Sequence, residues 1–295
     1  MQGLIVLITG GGSGIGAATA KVLQQRGAIP VLVDCDAAPL AQVAAALGGE
    51  VLTVAADVTS LAQCEHAVAL TLARFGRIDI VWANAGIAAF GPLAYTDPVA
   101  WKRCLEVNVF GVFNTVRAAL PAIVQSRGYV AVSASLASFA HPPAVSAYAA
   151  SKAAVEAMCN AWRIELAGHG VDLGVIHASW VKTPLMTEGS LHPAFVRLQE
   201  TAPAVLRNAM EADAAALMIV DGFTRRARRI WVPGWIRVLH WLRAWLHTPM
   251  AERELLRAAP KIEQLFVEGL ATSGVKASSQ APRELARSEA RASKA

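Results

Sequence analysis

The chain has only four cysteines in 295 residues, Cys35, Cys64, Cys104 and Cys159, and no two form a CxxC pair. A disulfide framework and a cysteine-ligated zinc site are therefore not expected. Its seven histidines show no metal-binding spacing, so no metal site is assigned. No apolar run reaches the length of a bilayer span. No basic n-region precedes the first apolar run, LIVLIT, so no signal peptide is expected. Over residues 183 to about 210, no arginine cluster stands ready for a phosphate or carboxylate substrate, since Arg197 and Arg207 are isolated. The compartment these absences imply is the cytoplasm, with the inner face of a membrane as a further possibility raised by the C-terminal part.

Acidic residues are scarce toward the C-terminus. Residues 222 to 295 hold 14 of the 27 Lys and Arg but 6 of the 22 Asp and Glu, a net of +8 against −3 for residues 1 to 221. This part opens with RRARR at Arg225 to Arg229, continues through RIWVPG, which reads as a strand, and then reads WIRVLHWLRAWLH. Trp235, Val238, Leu239, Leu242, Trp245 and Leu246 repeat at helical spacing, with Arg237, His240, Arg243 and His247 mainly opposite. Such a helix suits a membrane interface, or packing on the sheet or a second subunit. Nucleic acid is not expected as a partner, because the tryptophans lie on the apolar side and no basic groove is evident. A second helix is expected from about Ala251 to Leu270, and the Ala, Ser, Lys, Arg and Glu tail from Thr272 is expected to be disordered.

At 55% hydrophobic, the chain can bury one full α/β core. LIVLIT reads as a buried strand, TGGGSGIG follows from Thr9 to Gly16, and AATAKVLQQRG reads as a helix ending near Gly27. Strand, glycine turn and helix are the setting in which a dinucleotide pyrophosphate meets a helix N-terminus. Gly10 suits the tight turn, Gly14 a close backbone approach and Gly16 close helix packing. A second strand, IPVLVD, ends at Asp34, 18 residues past Gly16, with Cys35 and Asp36 next. An acid here accepts from the adenosine ribose hydroxyls and repels a 2′-phosphate, and Ser13 is uncharged, so NAD is expected rather than NADP. Asp36 is free to cap the following helix.

Tyr148 and Lys152 stand four apart in YAASK, with Ser135 thirteen residues before the tyrosine. On a helix, Lys152 shares a face with Tyr148. An adjacent ammonium favours the phenolate, so Tyr148 can serve as general base in oxidation and general acid in reduction. Ser133 and Ser138 are competing hydroxyls beside Ser135.

With these motifs in this order, residues 3 to 233 resemble the short-chain dehydrogenase/reductase family, in its subgroup with a TGxxxGxG turn and YxxxK. The resemblance implies a doubly wound parallel sheet (Rossmann fold) with helices on both faces, here carrying a C-terminal helical extension over residues 234–271. It implies a catalytic group of Asn108, Ser135, Tyr148 and Lys152. Ser135 would hold the substrate oxygen, Lys152 the nicotinamide ribose, and Asn108 a water linking Lys152 to solvent. The implied cofactor contacts are Thr9, Gly10, Ser13, Gly14, Ile15, Gly16, Asp34, Asp57, Val58, Asn84, Ala85, Gly86 and Thr183, together with Tyr148 and Lys152. Ala178-Ser179 departs from the family's Pro-Gly, which leaves the loop's path past the nicotinamide open.

The family's mobile lid corresponds to residues 183 to about 210. Leu185, Met186, Leu191 and Phe195, with Trp180 beneath and Ala88, Phe90 and Leu93 opposite, are expected to form an apolar substrate pocket. The expected activity is hydride transfer to or from a lipophilic secondary alcohol or ketone, of steroid, terpenoid or long-chain type. A non-catalytic dinucleotide sensor or membrane-associated scaffold is the alternative. The small apolar residues of the helices around 98–125 and 148–167 suit a homodimer or homotetramer interface.

Overall fold

The structure is a computed structural model and describes residues 1–189, 192–202 and 207–279. Strand β1 (Ile5–Thr9) is buried along its whole length, as a continuous apolar run between two helical layers should be. Helix α1 (Gly14–Gln25) follows the glycine turn, and β2 (Ile29–Asp34), α2 (Ala37–Leu47), β3 (Leu52–Ala55), α3 (Leu61–Phe75) and β4 (Ile80–Ala83) complete the first half. The second half runs α4 (Pro98–Leu105), a π-helical turn at Glu106–Phe110, α5 (Gly111–Ser126), β5 (Tyr129–Ser133), α6 (Ser146–Ala167) and β6 (Asp172–Ala178). Then come α7 (Pro184–Gly189), α8 (Pro193–Thr201), α9 (Ala212–Thr224) and β7 (Arg229–Val232).

The seven strands lie in the order β3-β2-β1-β4-β5-β6-β7 and every pairing is parallel. The winding reverses between β1 and β4, which opens a crevice beyond the strands' C-terminal ends. Successive residues of β1 serve opposite faces, as the strand period of two requires. Ile5 and Leu7 pack with Val116 and Ile123 of α5 and Val155 of α6. Val6 and Ile8 pack with Leu23 of α1 and Ile219 and Phe223 of α9. Leu7 and Ile8 are buried to within 2%, and each such side chain contributes about 1.5–3 kcal/mol.

Among the described residues, one helical stretch, Pro98–Ser126, is long and apolar enough to cross a membrane. Here it lies against the sheet, with Val112, Val116, Ala119 and Ile123 in the core.

The C-terminal extension differs from the sequence expectation in three respects. The 235–247 segment is not one helix: α10 covers Ile236–Trp241, and a 3₁₀ turn at Trp245–His247 follows. Part of its polar side reaches inward, while Arg237 stays exposed. Ile236 is buried, His240 and Arg243 reach Glu156, and His247 approaches the Phe139 carbonyl, while Trp241 is 82% exposed. Helix α11 (Pro249–Ser279) begins near the expected Ala251 but stays helical past Thr272, where disorder was expected; residues 280–295 lie outside the described residues. Periodicity shows which side chains share a face. It does not show which face finds buried partners, and here a carboxylate on α6 holds the basic one.

Candidate active site

The glycine turn forms one wall of the crevice. Gly10 has φ +68, and a side chain there would meet the Ala85 backbone at 2.9 Å. A Cβ on Gly16 would lie 2.1 Å from the Gly10 carbonyl oxygen, so only glycine closes this turn. Ser13 occupies the N-cap of α1 without a side-chain capping bond, and the first-turn amides have no intrahelical acceptors. A cradle closed to side chains and lined with amides at a helix start fits a pyrophosphate.

Gly10, Ser13, Gly14, Ile15, Asp34, Asp57, Val58, Asn84, Ala85, Gly86 and Thr183 line this single cleft. Thr9 and Gly16 stand behind it. Thr9 is buried and its hydroxyl accepts from the amides of Asn84 and Ala85 at 3.0 and 3.2 Å. The Asn84 amide donates to the Thr9 carbonyl at 3.0 Å, tying the β4 turn to the glycine turn. At the end of β2, Asp34 accepts from the Gly12 amide at 3.2 Å and the Asp36 amide at 3.3 Å. Asp36 does sit at the N-cap of α2, without a side-chain capping bond. Thr183 lies against Gly14, and its hydroxyl accepts from the Met186 amide at 3.4 Å.

Sequence reasoning missed one lining cation. Arg103 of α4 pairs with Asp57 at 3.3 Å. The two are 46 residues apart and no local pattern joins them.

The catalytic candidates converge beside Gly86. A Cβ there would sit 3.3 Å from Asn108 Oδ1 and 3.5 Å from Lys152 Nζ. Asn108, fully buried in the π-helical turn, accepts from the Ile87 amide and donates to the Ile87 carbonyl and Ser151 Oγ, each at 2.9 Å. Lys152 Nζ donates to the Ser133 carbonyl at 2.7 Å and lies 5.6 Å from the centre of the Tyr148 ring. Ser135 contacts the Tyr148 phenol through a hydrogen bond and donates to the Ala178 carbonyl at 3.3 Å.

The geometry separates the three candidate hydroxyls. Ser133 Oγ accepts from the Trp82 indole and donates to Asn84, and Ser138 Oγ donates to Glu156, which leaves Ser135 beside the tyrosine. The Ala178-Ser179 departure is also accounted for. Ala178 continues β6 opposite Val232, its carbonyl receives Ser135, and the Ser179 amide donates to the Val232 carbonyl at 2.9 Å.

The electrostatics differ from the expectation of a phenolate. Burial pushes the Tyr148 phenol up to about 12, against the opposing hydrogen bond from Ser135. Burial brings the Lys152 ammonium down to about 8. Desolvation therefore outweighs the Ser135 hydrogen bond, and the phenol keeps its proton at neutral pH.

Behind this group lies a second polar cluster that the sequence did not reveal. Tyr148, Lys152, Glu156 and Asn160 recur every four residues along α6. Glu156 Oε2 accepts from Ser138 at 2.6 Å, and its Oε1 lies 3.1 Å from Arg229 Nη1 and 3.3 Å from His240 Nε2. His177, with no exposure, places Nδ1 3.3 Å from Ser138 Oγ and 3.4 Å from the Ser135 carbonyl, and stacks on Trp231. Burial pushes the Glu156 carboxyl up, but the Ser138 hydrogen bond, His177, Arg229 and His240 outweigh it and hold the group at about 2. Burial brings His177 down to about 4.

Over the substrate side, Phe90 packs edge-on to Phe195 with ring centres 5.5 Å apart, and Trp180 meets Phe195 at 5.5 Å. Helix α11 supplies an unexpected member, Phe266, which is fully buried 5.8 Å from Phe90. Val145, three residues before Tyr148, packs with Ala194, Leu198 and Phe266 in the same cluster. Leu93 is not part of this wall. The turn that Tyr95 and Thr96 close onto the Pro92 carbonyl leaves Leu93 92% exposed. Ala88 is partly buried, Leu185 is 36% exposed at the cleft, Met186 begins the lid, and Leu191 lies outside the described residues.

A doubly wound parallel sheet with this cradle and a Ser-Tyr-Lys group is the architecture of a dinucleotide-dependent oxidoreductase. The short chain dehydrogenase family model matches residues 4–193, and the chain belongs to that family. It is 32% identical over 256 residues to 11-beta-hydroxysteroid dehydrogenase A of Sesamum indicum, covering 82% of this chain and 71% of that protein. It is 33% identical over 192 residues to a 3-oxoacyl-[acyl-carrier-protein] reductase of Thermotoga maritima, covering 64% and 78%. Among solved structures it resembles a short chain dehydrogenase/reductase from Burkholderia phymatum in complex with NAD (TM-score 0.74, 26% identity, 84% and 96% covered). It also resembles a 3-ketoacyl-(acyl-carrier-protein) reductase from Brucella melitensis complexed with NADH (TM-score 0.71, 28% identity, 78% and 97% covered).

Proposed function

We propose that the protein is an NAD-dependent oxidoreductase acting on a lipophilic secondary alcohol or ketone. The observation that carries this reading is the convergence of Ser135, Tyr148 and Lys152 beside a cleft that ends in the Asp34 carboxylate. A bound nicotinamide dinucleotide would supply the hydride chemistry. The amides of the Gly10–Gly16 turn would hold its pyrophosphate. Asp34 would accept from ribose hydroxyls and repel a 2′-phosphate.

Tyr148, kept protonated by burial, is poised to donate its proton to a carbonyl oxygen in the reductive direction. Ser135 would hold that oxygen and stabilise the charge developing on it. Lys152 would orient the nicotinamide ribose and set the local field. Asn108 positions Ile87 and Ser151 around the lysine through three hydrogen bonds.

The apolar lid supports a lipophilic substrate, because the partly exposed Trp180, Phe90 and Phe195 offer ring surface and Phe266 backs them from the core. The relative from Sesamum indicum is by name a hydroxysteroid dehydrogenase. The free cysteines, three of them buried, suit a cytoplasmic enzyme. We also infer a homodimer or homotetramer through the π-helical turn, α5 and α6, where Phe110, Phe113 and Ile164 stand 61%, 44% and 80% exposed.

A spectrophotometric hydride-transfer assay with a panel of hydroxysteroids, terpenols and long-chain secondary alcohols tests the reading. Turnover of one class with NAD is expected. Tight NADH binding without turnover of any, in either direction, would instead assign a dinucleotide sensor.

A further inference from the structure

We propose that the segment from Val238 to Trp245 is a docking surface for an anionic lipid bilayer. The carrying observation is the inverted polarity of this segment. Its basic residues turn toward the protein, where the largely buried His240 and the half-exposed Arg243 reach Glu156. Its apolar residues face out: Val238 is 57% exposed, Trp241 82%, Leu242 47% and Trp245 46%. These four fall at intervals of three, one and three. The Leu242 amide bonds the Val238 carbonyl at 3.1 Å and the Trp245 amide bonds the Leu242 carbonyl at 2.8 Å, so the chain stays coiled between them. They therefore share one side. The carboxylate that anchors His240 and Arg243 holds this side toward solvent.

Charge complementarity identifies the occupant. A groove beside the start of α10 is lined by Arg225, Arg229 and Arg237 with Trp231, and by Asp221, whose charge is met by Arg26 at 2.6 Å. Among the described residues neither Arg225 nor Arg237 makes an ion pair, and both are exposed. Tryptophans beside unpaired arginines match the boundary of a bilayer, where indoles sit at headgroup level and cations meet anionic headgroups. The coiled stretch spans roughly 10 Å at 1.5 Å per residue, so it lies in the interface and does not cross it. A second copy of the chain is a poorer occupant. A two-fold contact centred on this groove is self-complementary and would gather Arg225 and Arg237 of both copies, four arginines, in one interface.

The test is co-sedimentation of the full chain with vesicles of phosphatidylcholine alone and of phosphatidylcholine mixed with phosphatidylglycerol. Binding is expected to both, and more strongly to the mixed vesicles. Trp241→Ser with Trp245→Ser should lower binding to both by at least about tenfold. Arg225→Gln with Arg237→Gln should remove most of the anionic preference, roughly fivefold per arginine, while binding to neutral vesicles stays. NADH binding, measured alongside, should be unchanged in both variants. If the tryptophan variant fails to fold, brominated lipid serves instead, and quenching of wild-type tryptophan fluorescence is expected. The proposal is overturned if wild-type protein ignores the mixed vesicles, if bromolipid does not quench it, or if the folded tryptophan variant binds like wild type. It is equally overturned if that variant instead splits an oligomer in sedimentation equilibrium, which would assign the face to a second copy.

Discussion

Replacing Glu156 by Gln should destabilise the protein well beyond an ordinary surface change. The carboxylate accepts from Ser138 at 2.6 Å and faces Arg229, His240 and Arg243 at 3.1, 3.3 and 3.7 Å. Holding this group at about 2 instead of 4.5 corresponds to about 3–4 kcal/mol at ~1.4 kcal/mol per pH unit. That lies at the lower end of the ~3–5 kcal/mol lost when a buried pair is broken. Gln can still accept one hydrogen bond, and Arg229 at 27% side-chain exposure recovers some hydration, so a loss of about 2–3 kcal/mol is expected. For a domain of this size that is a fall in Tm of roughly 4–10 °C, measurable by thermal unfolding at pH 7.

The pH dependence has a definite sign. Glu156 is depressed in the folded state, so its contribution is present above about 4.5 and is lost as pH falls through about 2. His177 is depressed to about 4, so the unfolded chain takes up its proton first and stability falls as pH drops from 6.5 toward 4. Acid should thus weaken the wild type from about pH 6.5 downward; Glu156→Gln removes the carboxylate's part below about 4.5 and, by taking away the charge that raises His177, extends the His177 part to lower pH. An unchanged Tm in Glu156→Gln at pH 7 would refute this account of the cluster.

Other outcomes follow from the same geometry. Asp34→Ala with Cys35→Arg should shift the kcat/KM ratio from NAD toward NADP, because it removes the carboxylate at the ribose end and adds a cation beside it; an unmodified protein that uses NADP equally well would contradict the role given to Asp34. Ile164→Glu, at an 80% exposed position on α6, should shift sedimentation equilibrium toward the monomer, and an unaltered assembly would exclude this face as the interface.

The parts legible in the sequence were those with local signatures. Strand, glycine turn and helix are contiguous from Ile5 to Gln25, and Tyr148 and Lys152 share one helix. The spacing of Ser135 singled it out only through family resemblance, and the structure supplies the physical reason: Ser133 and Ser138 are committed elsewhere. What could not be read was made by tertiary adjacency. Glu156 meets Arg229 across 73 positions and His240 across 84, and Arg103 meets Asp57 across 46. Phe266 closes the lid from a helix whose composition looked only mixed in charge. The segment after Trp235 is an α-helix only over Ile236–Trp241, and its expected apolar face divides, with Trp235, Leu239 and Leu246 partly buried and Val238, Leu242 and Trp245 exposed, because the distant Glu156 draws His240 and Arg243 inward.

The central claim is that Tyr148 relays the proton that accompanies hydride transfer. The direct test is steady-state turnover of Tyr148→Phe alongside its NADH dissociation constant, with a substrate found active for the wild type. The variant keeps the ring and loses only the hydroxyl beside Ser135. The account predicts a fall in kcat of at least ~10²–10⁴-fold, typical of a lost general acid, with NADH affinity within a few fold of wild type. Turnover at the wild-type rate would contradict it.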